Sequence, residues 1–579
     1  MSAGSLTTKV KKGRPYLYWV RSARVDGKPR IVEQIYLGPR DRVLQEIHDH
    51  YTGKADSTPE LRRVQVRTFG GPALLWRLAA DWGLAALIDR HVPPAPPQVR
   101  TSLSVGQYLV LAAVNRALDP HSKRSFTGWY RGTVLERACP AQPWELTSQR
   151  FWDHMHLVSE EHIQEIQRGL LASLATRFPV GGTALLYDTT NYYTFISTFN
   201  ERSELAQRGH NKQKRGDLRQ VSLSLVVDEA VGLPLFHEMY TGNRVDVTQF
   251  GEVVGRLQQH FGTLLGGEER RLTLVFDKGN VSKPNLAQLT AGGFSYVGAV
   301  QLGWAGALAT LPLSEYEPLR LEDGTRVKVL RRCYEVLGEE RTVVLVFSPS
   351  FYWEQRRSLN RLQGIAEQKL GMLREEVAAA VAAGKPKRAA AVEKEAVGIT
   401  RQDRLKDYVR LVIEKQGEHA VGMGWSWDLA KKREIQRRYF GKTALITDRE
   451  EWGSGQVIHA YRSQYLVEDC FRVSKSRSPG MWWPMHHWTD SKVRVHALCC
   501  HLALLLLRLA GSGLRRGGVS LSVSEMVERL NGIDEAFVVY ANGAGQRVIA
   551  EMTPEQAEVF EALGLGCLSS QWGNTILVA

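Results

Sequence analysis

The chain has 579 residues, enough for several hydrophobic cores rather than one. Hydrophobic residues make up 43% and the mean hydropathy is −0.26, ordinary values for a soluble globular protein. Lys and Arg total 75 against 61 Asp and Glu, a formal charge of +14, which points toward a polyanionic partner without establishing one.

Six cysteines (Cys139, Cys333, Cys470, Cys499, Cys500, Cys567) form no CxxC pair. A disulfide framework is excluded at this dilution, and reduced, buried thiols are expected. The first residues, MSAGSLTTKVKKGRPYLYWV, carry positive charge but no apolar h-region, so no secretory signal is expected. The most apolar run, Ala497 to Leu507, is about half a membrane span and reads as a core helix. A cytoplasmic protein with no membrane partner is the expectation.

Residues Tyr16 to Leu37 alternate around Asp26-Gly27, predicting a hairpin in a small β-rich unit over 1–58. From Leu61 to Thr176 helical spacing dominates, as in Leu74, Leu75, Leu78, Trp82 and Leu84, and 59–178 reads as a helical domain. Thr183–Tyr187 is a short apolar run ending in Asp188. Val221–Val227 and Leu233–Tyr240 follow as two more strands, predicting an antiparallel meander. Asp246 and Gln249 form a capping box opening a helix whose Val247, Phe250, Val254, Leu257 and Phe261 share a face. Leu272–Phe276 is an apolar strand ending in Asp277. A crossover helix makes that fourth strand parallel to its neighbour, and if it lies beside the first, Asp188 and Asp277 meet at one sheet edge.

Ser295–Gln301 reads as a further strand or as the first of an inserted part. Val327–Val336 and Thr342–Phe347 predict a hairpin around Gly338; Arg356–Ala383 and Arg388–Lys415 predict an αα-hairpin joined at Gly384-Lys385-Pro386. Residues 305–435 are therefore read as an insertion dividing a catalytic core into 179–304 and 436–512. Thr443–Thr447 resumes the sheet, a long helix is predicted from Gln456 to Lys475, and 513–579 forms a C-terminal region with strands and a helix around Ala536–Leu565.

On the predicted Gln456–Lys475 helix, Tyr461, Gln464, Tyr465, Glu468, Arg472 and Lys475 fall within a stripe about 100° wide. Lys475 lies roughly 10 Å along the axis from Glu468, which suits a metal ligand and a neighbouring phosphate contact better than a salt bridge. Taken alone, the stripe also fits an ordinary exposed amphipathic face. The segment YRSQYLVEDCFRVSK resembles the third motif of insertion-sequence DDE transposases, Tyr-x2-Arg-x3-Glu-x6-Lys. Tyr461, Glu468 and Lys475 match it in type and spacing, while Gln464 stands where the family has Arg. LLYDTTNYYTF with Asp188 and LVFDKGNVSKPNL with Asp277 resemble the first and second motifs, and GLPLFHEMYTGNRVD and PMHHWTDSKVRVHALCCHLAL are also similar to this group. The resemblance runs from roughly 180 to 510.

It implies an α/β (α+β multidomain) fold: an RNase H-like mixed sheet with helices on both faces, interrupted by an insertion and preceded by a small β unit and a helical domain. It implies a bacterial, nucleoid-associated transposase that binds its element's ends, cuts DNA and joins the 3′-OH ends to target DNA, as a homodimer on double-stranded DNA. Asp188, Asp277 and Glu468 are its expected catalytic residues. They would hold two Mg²⁺ ions (Mn²⁺ as a substitute), Asp188 bridging both and the other two each holding one. Two such ions about 3.5–4 Å apart activate the nucleophile and stabilise the leaving oxygen, and Mg²⁺ takes oxygen ligands with few protein carboxylates. Of the rival acids, Asp228 and Asp246 are explained by a turn and a helix cap, Asp469 points about 100° away from Glu468, and Asp448 remains a competitor.

Candidate phosphate contacts are Lys475, Tyr461, Arg472 and Gln464 on the stripe and Lys212, Lys214 and Arg215 in a basic loop, with Lys123, Arg124, Lys431, Lys432, Arg433, Arg437 and Arg438 as further candidates. Trp452, Trp482 and Trp483 flank the third motif as candidates for base stacking. His496 and His501 read as satisfied core residues, with no zinc and no small-molecule cofactor expected. Two alternatives stay open: a decayed transposase that only binds DNA, and an RNase H-like nuclease or resolvase without strand transfer.

Overall fold

The computed structural model describes residues 5–11, 13–25, 28–51, 61–178, 184–209, 215–244, 246–261, 272–402, 404–476, 480–571 and 575–576. At the N-terminus β1 (Ser5–Lys11), β2 (Arg14–Val25) and β3 (Lys28–Pro39) form an antiparallel sheet, followed by the helix Arg40–Tyr51. The expected turn at Asp26-Gly27 lies outside the described residues. Residues Leu61–Thr68, expected to begin a helix, form strand β4 instead. Val64 and Val66 alternate with Arg63, Gln65 and Arg67, a β-compatible pattern that is satisfied only by a partner from the far end of the chain.

The helices that follow pack around Val105–Leu118. Almost every residue of that helix is buried, and a Ser104/Gln107 capping box closes its first turn.

Next come β5 (Ala184–Thr194), β6 (Arg219–Asp228) and β7 (Pro234–Thr241), then the crossover helix Asp246–Phe261, β8 (Thr273–Phe276) and β9 (Ser295–Val300). The side chain of Asp246, the expected cap, lies outside what the structure describes. The strands stand in the order β7-β6-β5-β8-β9. β5–β6 and β6–β7 are antiparallel, β5–β8 and β8–β9 parallel. This is the strand order of an RNase H-like sheet. Tyr187 packs on Phe250 of the crossover helix, whereas Tyr192 stacks on Trp482. Odd and even positions of β5 thus face different helical layers, as a buried sheet requires.

The sheet does not stop at β9. β10 (Glu317–Arg320), β11 (Arg326–Val336) and β12 (Glu339–Phe347), expected in the insertion, extend it. Leu337 and Gly338 supply the positive-φ turn between β11 and β12. Val343, Val344 and Leu345 are fully buried, a continuous apolar run that demands a neighbour on each side. What protrudes is smaller: the helices Pro349–Ala382 and Ala389–Thr400, a hairpin of β13 (Val409–Gln416) and β14 (His419–Trp427), and the helix Leu429–Tyr439. The helix expected to reach Lys415 ends at Thr400; β-branched residues and the turn glycine Gly417 (φ +59°) favour a hairpin. The chain returns as β15 (Lys442–Thr447), antiparallel to both β9 and β12 and lying between them.

Two helices rather than one follow, Ser454–Arg462 and Tyr465–Lys475, with a step at Ser463-Gln464. The helix Asp490–Arg516 is long and apolar enough to cross a membrane by length and composition, and 78% of its apolar window is buried inside the protein. His496 Nε2 bonds the Trp482 carbonyl at 3.0 Å, but neither ring nitrogen of His501 has a partner, contrary to expectation; burial lowers its pKa to about 4, so it stays neutral. All six cysteines are free, yet Cys333 and Cys567 are exposed rather than buried.

The C-terminal strands β16 (Asp534–Tyr540), β17 (Gly545–Ile549) and β18 (Thr575–Ile576) complete a sheet with β4. Segments far apart in the chain therefore share one sheet. Arg137 donates to both oxygens of Glu535 at 3.0 and 2.6 Å, and Glu535 is only 2% exposed. Arg137→Met is expected to destabilise by about 3–5 kcal/mol, because it strands a buried carboxylate. Arg137→Met/Glu535→Leu should recover most of that loss in urea or thermal denaturation; equal stability of the single variant and the parent would exclude the bridge as a tie.

Candidate active site

Strands β5 and β8 run parallel in a register that pairs Leu186 with Val275. Two residues beyond that rung each strand presents an aspartate, Asp188 and Asp277, on neighbouring strands spaced about 4.8 Å apart. β8 ends at Phe276, and Asp277 caps the short turn Lys278–Asn280 and is exposed. Asp188 is half-buried, because β5 continues past it to Thr194 instead of ending there. Each carboxylate accepts its neighbour's amide at 2.7 Å, Thr189 N for Asp188 and Lys278 N for Asp277.

Glu468 is exposed in the first turn of the Tyr465–Lys475 helix. Gln464, at the start of that helix, sets its position. Its amide donates to the carbonyls of Val275 (2.8 Å), two residues before Asp277, and Tyr187 (3.4 Å), the residue before Asp188. At the other end Ser474 bonds Tyr192 and Lys475 Nζ donates to Thr190 Oγ1, its ammonium 5.0 Å from the Tyr192 ring centre. The helix therefore runs alongside β5, in the same direction, over the face that carries Asp188, Thr190 and Tyr192. Glu468, four residues after Gln464, advances about 6 Å along the axis, which sets it abreast of Asp188 and Thr189 at about 3.3 Å per strand residue. Tyr461 closes the other side, its hydroxyl donating to Asp277 at 3.4 Å. Burial raises the Tyr461 phenol above its ordinary range, and the Asp277 and Glu468 carboxylates push it further the same way. It remains a donor at any working pH.

Rival acids fall elsewhere. Asp448 accepts the amide of Tyr296 at 2.8 Å, at the N-terminal edge of the parallel strands. Three residues of β8 separate that rung from Asp277, about 10 Å. Asp228 pairs with Leu185 near the start of β5, and its carboxylate closes a turn onto Val231 N at 3.0 Å. Asp469 is held by Arg472 and by Arg508 (2.6 Å); burial pushes its carboxyl up, but the two guanidiniums outweigh this and hold it below the ordinary value.

Several expected surface contacts change character. Gln464 is buried and committed to two backbone carbonyls, so it braces the site instead of facing solvent. Arg472 is exposed but paired with Asp469. Arg215 is exposed and bonds Asp217 at 2.9 Å; Lys212 and Lys214 lie outside the described residues. Trp482 is 1% exposed and belongs to the core. Trp452 sits at the far edge, beneath Arg449, which bonds Thr273 at the start of β8. Trp483 alone of the three packs against Tyr193 and the 71%-exposed Phe195, beyond Asp188 on β5. Thr190 and Tyr192 were not singled out from the sequence, although their spacing of two and four from Asp188 places them on its face.

Among the described residues no three His, Cys, Asp or Glu side chains are gathered tightly enough to hold a metal ion. The donors fit a hard divalent cation: oxygen only, with Asp277 and Glu468 exposed and Asp188 half-buried, and with no imidazole or thiolate among them.

No family model and no curated protein sequence matches this chain. Among solved structures it overlaps the piggyBac transposase synaptic complex with hairpin DNA at 10% identity and TM-score 0.36, over 81% of this chain and 82% of that one. It overlaps the Mos1 mariner paired-end complex with Mn at 9% identity and TM-score 0.14, over 30% of this chain and 59% of the other. The Mos1 complex with the left transposon end gives 10% identity, TM-score 0.15, and coverage of 31% and 59%. Strand order and register, not these overlaps, define the site.

Gln464→Ala is expected to cost about 1–3 kcal/mol in chemical denaturation, since it leaves two strand carbonyls without their donor. Gln464→Glu, isosteric but without the donor, should be at least as damaging. A Glu variant as stable as the parent would show that the amide is not what binds helix to sheet.

Proposed function

We propose that this chain is a DDE transposase that cuts DNA at the ends of its element and joins the freed 3′-OH to target DNA. What supports the reading is the emergence of Asp188 and Asp277 from adjacent parallel strands, with the helix that carries Glu468 tied to both strands through Gln464. Asp188, Asp277 and Glu468 would hold two Mg²⁺ ions, or Mn²⁺ in their place, which supply activation of the attacking oxygen and stabilisation of the leaving one.

The chain's own groups do the positioning. Gln464 fixes the helix to the two strands from which the aspartates emerge. Tyr461 keeps Asp277 oriented through its hydroxyl. Lys475, resting on Thr190, offers a cation about 10 Å along the helix from Glu468, placed for a backbone phosphate rather than for the carboxylates. Trp483 with Phe195 forms an apolar shelf further along β5 against which an unpaired base would stack. The partner is double-stranded DNA, engaged by a homodimer in the bacterial cytoplasm.

Asp188→Asn, Asp277→Asn and Glu468→Gln should each abolish Mg²⁺-dependent cleavage of labelled element ends while the ends are still bound. Unimpaired cutting by any one of them removes that residue from the set. Nicking by the parent protein without joining to target DNA would replace the transposase reading with a nuclease. Lys475→Ala should weaken end binding and lower the slope of log affinity against log salt by about 1; an unchanged slope would take Lys475 off the phosphate path.

A further inference from the structure

Away from the carboxylates, a cavity of about 280 Å³ opens where the Val105–Leu118 helix, the turn after it, the Ser148–His156 helix and the segment 484–487 meet. Arg116, Lys123, Arg124, His486 and His487 line it, with Ser122, whose hydroxyl pairs with Ser125, and Ser148, and no acidic residue does. Arg116 is 2% exposed and Lys123 8%. Only one Arg116 nitrogen is satisfied, Nη2 on the His121 carbonyl at 3.0 Å, while Nε and Nη1 are buried without an acceptor. The Lys123 ammonium lies 4.7 Å from the Phe151 ring centre and has no hydrogen-bond acceptor among the described residues. His487 Nδ1 is buried and unpartnered as well.

Two buried cations side by side without a counter-ion are costly, and native proteins tolerate them where something outside the chain completes the charge. The thiols of Cys499 and Cys500 do not, because burial raises both and holds them neutral. Burial, and then Arg116, lower the Lys123 pKa to about 8, the mark of an ammonium lacking an anion. A fork of guanidinium donors, a point-charge ammonium and two hydroxyls around one space suit a tetrahedral oxyanion.

We propose that this cavity is a binding site for a phosphate group, filled either by a backbone phosphate of bound DNA or by free phosphate. The proposal stands whether or not Asp188 and its neighbours cut DNA. The segment that forms one wall follows directly on Trp482 and Trp483, which pack on Tyr192 and Tyr193 of β5, so an anion here would bear on the strand that carries Asp188.

The test uses the full chain without added metal, in phosphate-free buffer at low ionic strength. Inorganic phosphate is titrated by calorimetry and by its effect on Tm, against the parent and Lys123→Met, with Lys123→Gln as a second variant and circular dichroism to establish folding. Saturable binding to the parent, at least about tenfold weaker in the variants for loss of one charge-assisted bond, is expected. Without phosphate, the variants should be as stable as the parent or more so, which loss of a structural contact would not give. Duplex DNA binding across a salt series separates the sources. A salt slope reduced by about 1 in the Lys123 variants assigns the site to the DNA backbone, and unchanged DNA binding with lost phosphate binding assigns it to free phosphate. Variants that match the parent for both ligands overturn the proposal. Failure of the parent to bind DNA would count against the transposase reading and leave the phosphate result to stand alone.

Discussion

The site depends on one pairing, the parallel ladder between β5 and β8. Parallel strands need a long crossover, and the Asp246–Phe261 helix supplies it, returning the chain so that Leu186 and Val275 share a rung. A slip of one residue would turn Asp277 to the opposite face from Asp188. The register is secured by burial: Leu185, Leu186, Leu274 and Val275 are all fully enclosed, so any slip would move an apolar set out of the core. Gln464 then ties the third carboxylate's helix to the same two strands through their carbonyls, and the geometry of all three acids follows from one local arrangement.

That arrangement sets two acidic side chains side by side on central strands of the sheet. Two nearby guanidiniums are engaged outside it. Arg472 and Arg508 are spent on Asp469, and Lys475 reaches past the carboxylates to Thr190. Gln464 braces the helix without adding a cation, and the oxygen-only donor set of the three acids suits a hard cation. The opposite condition holds in the cavity around Arg116 and Lys123, where positive charge is buried without an acid.

The core of the fold was legible because its signals are local. Apolar runs ending in Asp188 and Asp277, with an amphipathic helix between the meander and the fourth strand, carry the period of their own secondary structure. The misread elements are those whose state depends on distant partners. β4 was read as the start of a helix because its partner, β16, lies at the other end of the chain. The β11–β12 hairpin was assigned to an insertion because nothing near it in sequence shows that β15 will slide between it and β9. Val409–Gln416 follows a helical stretch rich in alanine, and only its alternation with a turn glycine marks the change.

By itself, then, the sequence determined the order of strands and helix, which is a matter of local periodicity, while Asp188, Asp277 and Glu468, with Tyr461 and Lys475, were singled out by a motif resemblance that spacing alone did not carry. Only the tertiary structure decided that Gln464 is a buried brace, that Asp448 and Trp452 lie at the far edge of the sheet, and that Arg116 and Lys123 share a cavity without an acid. The reason is physical. Burial, and whether a polar group finds a partner, are properties of the assembled neighbourhood, and segments hundreds of residues apart supply those neighbours.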